Sequence, residues 1–391
     1  MSPATSGEIT FAIHPSATPV PAAQRTELLA DPGFGRIFTD HMVTARWDFG
    51  QGWHDAQLTA HAPLSMSPAS AVFHYAQEIF EGLKAYRQAS GQIVTFRPAE
   101  NAARFNRSAA RMAMPPFPED AFVQALELLV AQDREWVPGS AAAASTPAAS
   151  APAAGAPAAG AQASLYLRPF MIATHVGLGV SRPSLSYLFA VIASPAGSYF
   201  AGGPQPVSVW LEDTYTRAAP GGTGAAKTGG NYAGGFVAQL EALENGCEQV
   251  VWLDAAEHRW VEEMGGMNLF FVYGSGAHAR IMTPALTGTL LAGITRDSLL
   301  TLAPDLGIPA EEGSISTDQW RAGCGSGEIT EVFACGTAAV ITPVGEARGR
   351  SGGWTVGSGQ AGPVTTRLRE HLLGLQFGQL PDPYGWVHKI C

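Results

Sequence analysis

Apolar and polar positions recur along this chain with two periods, one typical of strands and one typical of helices. In the first half, they predict strands around Phe73 and Val94, helices at 99–112 and 120–136, and strands at 164–175 and 187–193. In the second half, which begins with Val207, they predict a helix at 231–245 stopped by Gly246, strands near Val250, Trp260 and Leu269, a helix from Thr295, a strand through 332–342 and a last helix at 364–375. Because helices and strands mix without strict alternation, we expect an α+β architecture.

The length of the chain and two turn-rich segments predict how it divides. A chain of 391 residues is long for a single core, so two domains are expected. Residues 194–204, SPAGSYFAGGP, place turn-forming residues after an apolar strand, and they predict domains at 1–197 and 198–391. Residues 139–164 form a low-complexity tract of Ala, Pro, Ser and Gly, which we interpret as a flexible surface insertion within the first domain.

The composition and charge of the chain indicate which kinds of molecule it binds. Hydrophobic residues make up 46% of the chain and charged residues 14%, which is typical of a folded protein with a large interior. A formal net charge of −10 offers no basic field to nucleic acid or to an anionic membrane, so small-molecule partners are expected. Residues 1–34 lack the pattern of a secretory signal and no apolar run reaches the length of a membrane span, which favours a cytoplasmic protein.

The four cysteines and ten histidines show no metal-binding spacing. Cys247, Cys324, Cys335 and Cys391 are scattered without a C-x-x-C pair, and no H-E-x-x-H motif occurs. We therefore expect neither a disulfide framework nor a bound metal.

Lysine is rare in this chain, and one lysine lies in an unusual segment. Of the 23 basic residues only Lys84, Lys227 and Lys389 are lysines. An amine can condense with an aldehyde, whereas a guanidinium cannot. Lys227 lies in the glycine- and alanine-rich segment 217–232, where small residues would let a planar group approach the backbone. Taken alone, this segment favours an ordinary surface lysine over a buried, neutral nucleophile.

The same segment partly matches a phosphate-binding loop. Residues 221–228 read GGTGAAKT, one residue away from the G-x-x-x-x-G-K-[ST] pattern of nucleotide-hydrolysing proteins. Ala226 replaces the glycine before the lysine, and no apolar strand leads directly into the loop. Gly229 and Gly230 would also weaken a helix that begins at Thr228. The nucleotide-binding alternative has less support, but these residues alone leave it open.

Seven segments follow the order found in one enzyme family. They are FHYAQEIFEGLKAYR (73–87), FRPAENAARFNRSAARM (96–112), SLYLRP (164–169), KTGGNY (227–232), EMGGMNLF (263–270), GITRD (293–297) and CGTAAVITPV (335–344). Together they resemble the motifs of class IV branched-chain amino-acid aminotransferases. The resemblance implies a two-domain fold of type IV, with a small N-terminal α/β domain and a larger C-terminal domain that contains a barrel-like sheet.

The resemblance also implies an activity. It is a ping-pong transamination, dependent on pyridoxal 5′-phosphate, between the L-amino acids leucine, isoleucine or valine and 2-oxoglutarate. The alternative within the family is another class IV enzyme, such as a D-amino-acid aminotransferase or an aminodeoxychorismate lyase. SLYLRP and the segment 73–87 favour the branched-chain enzyme.

By resemblance, Lys227 is the catalytic residue that binds the cofactor as a Schiff base, Tyr232 hydrogen-bonds its phenolic O3′, and Glu263 keeps the pyridine nitrogen protonated. Glu262 competes for the last role, but neighbours in a strand point to opposite faces, and we expect Glu262 to be a solvated surface carboxylate. The remaining cofactor ligands are assigned to Arg97, Ile294, Thr295 and Thr337 at the phosphate, with Arg217 as a weaker candidate.

A substrate pocket and a partner subunit follow from the same resemblance. Arg168 is assigned to the distal carboxylate of glutamate or 2-oxoglutarate, and the backbone at Thr337 and Ala338 to the α-carboxylate. The aromatic walls are assigned to Phe34, Tyr75, Phe80, Tyr166 and Tyr199. In the family, Tyr75 and the segment 177–180, which ends at Val180, reach the site of the neighbouring subunit, and this implies a homodimer.

Overall fold

Residues 9–139, 163–197 and 205–391 are described by a computed structural model, and the chain divides into two units. Unit 1 comprises Met1–Tyr199 and Gly374–Cys391, and unit 2 comprises Phe200–Leu373. Residues 374–391 thus group with unit 1, whereas the predicted boundary assigns them to the second domain. The division into domains at 1–197 and 198–391 stays a prediction. The predicted insertion at 139–164 lies almost wholly outside the described residues, as does Tyr199.

The elements of the N-terminal half alternate between short strands and a few helices. In chain order they are β1 (Ala12–Ile13), α1 (Ala22–Ala30), β2 (His41–Asp48), β3 (Gly52–Ala60), α2 (Val72–Tyr75), β4 (Glu78–Phe80), β5 (Leu83–Arg87), β6 (Ile93–Phe96), α3 (Pro98–Arg111), α4 (Glu119–Gln132), a 3-10 turn (Arg134–Trp136), β7 (Ser164–Ala173) and β8 (Ser186–Ala196).

The C-terminal half contains the longer series of strands. In chain order its elements are β9 (Val207–Glu212), α5 (Gly230–Ala233), α6 (Phe236–Glu244), β10 (Gln249–Leu253), β11 (Val261–Met264), β12 (Met267–Tyr273), a 3-10 turn (Gly276–His278), β13 (Arg280–Pro284), α7 (Ile294–Asp305), β14 (Ala310–Gly313), α8 (Thr317–Ser326), β15 (Ile329–Gly336), β16 (Val340–Gly349), β17 (Gly352–Thr355), α9 (Pro363–Gln376) and β18 (Val387–Lys389).

Unit 1 is built on one sheet with the strand order β1-β3-β2-β8-β7-β5-β6-β18, and β4 pairs with β7. Its pairings are antiparallel except for the parallel one between β1 and β3. The helices α3 and α4 pack against this sheet. Phe117, in the loop that joins α3 to α4, stacks on Phe189 of β8 with ring centroids 3.9 Å apart. Phe105 of α3 and Phe122 of α4 contact the same Phe189 ring. This buried aromatic core supports the strands β4, β5 and β7, which carry motif residues.

A buried ion pair joins the first motif segment to α3. Glu81, directly after β4, is fully buried and accepts hydrogen bonds from Arg104 Nε at 2.7 Å and Nη2 at 2.8 Å. Asn101, which lies one turn earlier in α3, donates to the same carboxylate at 2.7 Å. The desolvation of this charge is therefore offset by a guanidinium and an amide.

Replacing Arg104 by alanine is expected to lower the free energy of unfolding by about 3 kcal/mol, because Glu81 would remain buried after losing the Arg104 guanidinium. Urea unfolding followed by circular dichroism measures the change. Arg107→Ala is the matched control, since Arg107 lies on the same helix with an exposed side chain. Equal losses in the two variants would contradict the stabilising role of the ion pair.

The sheet of unit 2 closes on itself. Its strands follow the order β11-β10-β9-β16-β15-β12, and β12 pairs in turn with β11, so these six strands form a ring. The strands β13 and β14 extend the sheet beyond β12, and β17 pairs with β16. Phe271 of β12 and Trp320 of α8 are fully buried, with ring centroids 5.3 Å apart. The closed ring confirms the barrel-like sheet predicted for the C-terminal half.

The predicted strand around Phe73 is wrong. Phe73 lies in the short helix α2, which ends at Ala76 in the left-handed region at φ 47°. The apolar residues there resemble a buried strand in the sequence, but the Phe73 side chain is 61% exposed in the single chain. A run of apolar residues indicates that they become buried, but it does not distinguish burial in the core of the chain from burial against another surface.

The predicted helix at 231–245 is two helices, α5 and α6, separated by Gly234 and Gly235. Two consecutive glycines weaken a helix. A Cβ on Gly235 would lie 3.0 Å from the Trp252 ring, so this glycine allows the chain to pass close to β10. The predicted strand through 332–342 is likewise two antiparallel strands, β15 and β16, joined by a turn at 337–339.

Candidate active site

The loop that carries Lys227 is held in one conformation by its own polar groups. Asn231 donates from Nδ2 to the carbonyl of Thr223 at 2.8 Å and to the carbonyl of Ala226 at 2.9 Å. A Cβ on Gly224 would lie 2.3 Å from the carbonyl oxygen of Thr289, so only glycine allows this approach. Lys227 is therefore half-buried on a loop that its own hydrogen bonds brace.

Lys227 and Tyr232, which the resemblance assigns to the same cofactor, lie in contact. Lys227 Nζ donates to the Tyr232 hydroxyl at 2.9 Å and lies 5.3 Å from the centre of its ring. A Cβ on Gly266 would lie 3.2 Å from the edge of the Tyr232 ring, so the glycine at this position leaves room for the tyrosine. An amine beside a phenol is the arrangement expected for a lysine that reacts with an aldehyde next to a phenolic oxygen.

Glu263 of β11 is buried next to a cation. Arg217 Nη2 lies 3.4 Å from Glu263 Oε2, and both side chains are almost fully buried. The backbone N–H of Leu291 donates to Glu263 Oε1. These donors favour the charged form of the carboxylate, which is the form that could accept a hydrogen bond from a protonated ring nitrogen.

Glu262 is not the solvated surface carboxylate that we expected. It is buried, and its Oε1 accepts a hydrogen bond from Thr289 Oγ1. Burial raises the pKa of Glu262 and the charge of Glu263 raises it further, whereas the hydrogen bond from Thr289 and the charge of Arg217 lower it. Neighbouring side chains of a strand point to opposite faces of the sheet. When both faces are buried, both side chains are buried as well.

A candidate anion site lies at the start of α7. The helix begins at Ile294 and Thr295, and its N-cap, Gly293, provides no side-chain hydrogen bond to the first turn. A Cβ on Gly293 would lie 2.0 Å from Asn268 Oδ1, and Asn268 Nδ2 donates to the Leu291 carbonyl at 3.1 Å. The helix N-terminus offers N–H groups and a favourable dipole to a phosphate.

Thr337 and Ala338 lie in the turn between β15 and β16, and both are partly exposed. Val340, the first residue of β16, has a φ of 62°. A β-branched residue in the left-handed region is strained, by about 1–3 kcal/mol. Such strain is typical of turns whose backbone geometry serves a site.

Arg97 lies in unit 1, whereas the residues around Lys227 lie in unit 2. It is the N-cap of α3, with a φ of 51°. Its guanidinium carbon lies 5.2 Å from the centre of the Trp386 ring, and Nη2 lies 3.7 Å from Glu100. Its assignment to the phosphate stays a prediction.

Four of the predicted substrate residues form a cluster within unit 1. The guanidinium carbon of Arg168 lies 4.8 Å from the centre of the Phe80 ring, and Nη2 donates to the Tyr166 hydroxyl at 3.2 Å. Phe34 contacts Tyr166 edge-on at 5.0 Å. A Cβ on Gly82 would lie 2.0 Å from the Tyr166 hydroxyl, so glycine is needed there. Among the described residues, the buried Arg168 Nε has no hydrogen-bond partner, so this arginine retains a donor.

Tyr75 and Val180 are exposed residues of unit 1. Tyr75 is 41% exposed, and its hydroxyl donates to the Leu178 carbonyl. Val180 is 74% exposed and Leu178 is 62% exposed.

Two residues of the site in unit 2 were missed from the sequence. Asn231 braces the lysine loop, and Thr289 contacts Glu262 through its hydroxyl and Arg217 through its carbonyl. Asn231 stands inside the KTGGNY segment, so a search for side chains that hold a glycine-rich loop could have found it. Thr289 lies outside every motif, and nothing in the local pattern marks it.

Comparison with known proteins assigns the family. A profile described as Amino-transferase class IV matches residues 78–347. A probable branched-chain-amino-acid aminotransferase of Streptomyces coelicolor is 56% identical over 98% of this chain and 99% of its own length. A branched-chain-amino-acid aminotransferase of Mycobacterium tuberculosis is 52% identical over 99% of this chain and 100% of its own length. The chain belongs to the class IV aminotransferases.

The fold of this class IV aminotransferase agrees with solved relatives. The crystal structure of the Escherichia coli branched-chain amino acid aminotransferase has a TM-score of 0.70 and 28% identity, covering 89% of this chain and 99% of that chain. The crystal structure of a T.th. branched-chain amino acid aminotransferase with pyridoxamine 5′-phosphate has a TM-score of 0.67 and 28% identity, covering 89% and 98%. Together with the family match, these structures confirm the predicted fold class.

Class IV aminotransferases use pyridoxal 5′-phosphate, and the residues of unit 2 fit this cofactor. Lys227 would supply an amine for its aldehyde, Tyr232 a phenol, and Glu263 a buried carboxylate. The start of α7, which has no side-chain cap, would supply N–H groups for its phosphate. In the described part of the chain, no cluster of three or more His, Cys, Asp or Glu could hold a metal ion. No helix among the same residues is long and apolar enough to cross a membrane.

Proposed function

We propose that this enzyme transfers the amino group between L-leucine, L-isoleucine or L-valine and 2-oxoglutarate, and that it forms branched 2-oxo acids and L-glutamate. The observation that carries the proposal is the contact between Lys227 and Tyr232 on a braced loop, 2.9 Å apart, in a class IV aminotransferase. Relatives named for branched-chain amino acids, at 52% and 56% identity over nearly the whole chain, support the substrate class.

In this proposal the residues of unit 2 have separate roles. When bound, the cofactor supplies an electron sink for the carbanion at the substrate's Cα. Lys227 attaches the cofactor and then moves a proton at Cα, and Tyr232 orients the amine. Glu263, paired with Arg217, holds a proton on the ring nitrogen. Ile294 and Thr295, together with Thr337 and Arg97, bind the phosphate.

The substrate pocket must accept an aliphatic side chain in one half-reaction and a carboxylate in the other. Arg168 supports the binding of a carboxylate, because its buried Nε has no partner among the described residues, while its guanidinium lies over the rings of Phe80 and Tyr166. The aromatic rings of Phe34, Phe80 and Tyr166 suit the aliphatic side chain. The α-carboxylate is assigned to the turn at Thr337 and Ala338.

Arg168→Gln is expected to raise KM for 2-oxoglutarate by about 30-fold and KM for L-leucine by less than about threefold, since one charged hydrogen bond contributes roughly 2 kcal/mol. Steady-state kinetics with each substrate varied in turn measures the split. The leucine half-reaction is an internal control for folding. Equal increases in both KM values would contradict the assignment of Arg168 to the distal carboxylate.

An assay with D- and L-amino acids tests the substrate class. With 2-oxoglutarate as the acceptor, the purified enzyme is expected to transaminate L-leucine, L-isoleucine and L-valine. Transamination of D-alanine without activity on these three would overturn the proposal in favour of a D-amino-acid aminotransferase. A colourless protein that binds ATP would instead support the phosphate-loop alternative.

We further propose a cytoplasmic homodimer with small-molecule substrates only. Phe73, Tyr75, Val176, Leu178 and Val180 are between 41% and 74% exposed in the single chain, and a monomer rarely leaves so many apolar side chains in solvent. Burial of this surface against a second copy accounts for the exposure.

Val180→Asp is expected to weaken the dimer by at least about tenfold, because a charge would be desolvated at the interface. Sedimentation velocity over a range of concentrations measures the dissociation. Phe49→Asp is the control, since Phe49 is 60% exposed in the β2–β3 turn. If both variants sediment as the wild type does, the surface around Val180 is not the interface.

A further inference from the structure

Three of the residues proposed to bind the cofactor lie on one continuous segment of unit 2. This lysine segment, residues 213–235, connects β9 to α6 and carries Arg217, Lys227 and Tyr232. Seven of its 23 residues are glycines. Glycine loses more conformational freedom on folding than any other residue, so a segment of this composition needs contacts that fix it. Asn231 fixes its interior, and its two ends need contacts of their own.

A fully buried carboxylate shapes the start of the lysine segment. Glu212, the last residue of β9, is 0% exposed. Its Oε1 accepts hydrogen bonds from the backbone N–H of Thr214 at 2.7 Å and from that of Tyr215 at 2.9 Å. These two bonds fix the turn by which the chain leaves β9. Arg217, the cation that pairs with Glu263, follows two residues later, so its position depends on this turn.

One arginine contacts carboxylates at both ends of the lysine segment. Arg350 follows β16, the strand that pairs in parallel with β9. Its Nη1 lies 3.7 Å from Glu212 Oε1 and forms an ion pair with Asp213, the first residue of the segment. Its Nη2 forms an ion pair with Glu241, which lies on α6 beyond the end of the segment. The Arg350 guanidinium therefore joins the chain before the segment to the chain after it.

The buried member of this group determines how much the arginine contributes. Exposed ion pairs stabilise a protein only slightly, and the side chains of Arg350 and Asp213 are 39% and 47% exposed. Glu212 differs because its side chain is fully buried, and a buried carboxylate that loses a neighbouring cation is costly. A guanidinium presents five N–H donors in one plane, so a single arginine can contact several carboxylates at once.

We propose that Arg350 is a positioning residue of the active site. Through the carboxylates at both ends of the lysine segment, it fixes where Arg217 and Lys227 lie. A segment whose ends are already held loses less conformational entropy when a ligand binds to it. The inference rests on the proposed function for the chemistry of Lys227, whereas the ordering of the segment can be measured without any activity.

Hydrogen–deuterium exchange of the full chain, measured before pyridoxal 5′-phosphate is added, tests this ordering. In Arg350→Met, amides of the lysine segment are expected to exchange at least about tenfold faster than in the wild type, while amides of β12 keep their rates. Arg321→Met is the matched control, because Arg321 Nη2 lies 3.4 Å from the Ser351 carbonyl in the neighbouring turn. Segment rates in Arg350→Met that match those of the control overturn the proposal.

The affinity for pyridoxal 5′-phosphate separates positioning from stability. Titration of the visible absorbance is expected to show about tenfold weaker binding in Arg350→Met, because the cofactor must then order the segment as it binds. At saturating cofactor, kcat should return to within about threefold of the wild type. A residue that only stabilised the fold would lower the free energy of unfolding and leave the affinity unchanged. An affinity equal to that of Arg321→Met therefore overturns the proposal, even if Arg350→Met unfolds more readily.

A double-mutant cycle identifies the partners of Arg350, and its single variants replace Arg350→Met should that variant fail to fold. Asp213→Asn and Glu241→Gln are each expected to weaken cofactor binding by about threefold, and to have much less effect once Arg350 is methionine. Glu346→Gln is the control, since Glu346 pairs with Arg348 at 2.7 Å. Wild-type affinity and segment exchange in both single variants, or purely additive effects, overturn the proposal.

Failure of the proposed function would look different. A wild type that neither binds the cofactor nor transaminates would overturn the proposed function, and the exchange rates of the lysine segment would still decide the role of Arg350.

Discussion

Lys227→Ala is expected to lower kcat for L-leucine with 2-oxoglutarate by at least about 10⁴-fold, the scale seen when a covalent catalytic group is removed. The variant lacks the amine that we propose attaches the cofactor and moves the proton at Cα. The variant keeps the other two lysines, Lys84 in β5 and Lys389 in β18. The loss of the visible absorbance of the bound cofactor is expected together with the loss of activity.

Lys389→Ala is the matched control, because Lys389 is exposed near the C-terminus. It should retain wild-type kcat and absorbance. Borohydride reduction of the wild type, followed by peptide mapping, is expected to place a phosphopyridoxyl group on Lys227. A label on Lys84 or Lys389, or a coloured and active Lys227→Ala variant, would show that the lysine has been assigned wrongly.

Glu263→Gln is expected to lower kcat by about 10³-fold, a loss typical of removing one preorganised electrostatic group from a site. An amide cannot stabilise a proton on a ring nitrogen as a carboxylate does, so the ring would withdraw electrons less strongly. Arg217 would also lose its charged partner while staying buried. The rate of the half-reaction with L-leucine, measured with saturating cofactor, reports the change in the chemical step.

Glu257→Gln serves as the control for this substitution because it changes the same group on an exposed loop residue. A Glu263→Gln variant with kcat within about threefold of the control would refute the assignment of Glu263. If Glu262→Gln were the more damaging of the two neighbouring changes, the roles of the two carboxylates would have to be exchanged.

The sequence predicted correctly the elements that have a regular spacing of apolar residues and residues that mark where the element ends. The helix predicted at 99–112 occurs as Pro98–Arg111, and the helix predicted at 364–375 occurs as Pro363–Gln376. Residue spacing within one helix determines which face is apolar, so the prediction needed no distant residue. The helix α8 was missed although its capping box, Ser316 with Gln319, is visible in the sequence, because its apolar pattern is weak.

Predictions failed where the burial of a residue depends on segments that are distant in the sequence. Phe73 has the apolar neighbours of a strand and lies in an exposed helix, whereas Glu262 has the polarity of a surface residue and is buried. In each case burial depends on a part of the protein remote in sequence. The break between α5 and α6 depends similarly on Trp252, which approaches Gly235 from β10.

The sequence alone was sufficient for the family and the cofactor, and it predicts Lys227 as the reactive lysine. These conclusions depend on residue types that the chemistry requires, and Lys227 and Tyr232, which meet in the structure, are only five positions apart. The tertiary structure decided which groups surround the two carboxylates, because the partners of Arg217, Glu262 and Glu263 lie 72, 27 and 28 positions away in the 289–291 segment. These segments meet only in the folded chain, and local periodicity carries no information about contacts at that separation.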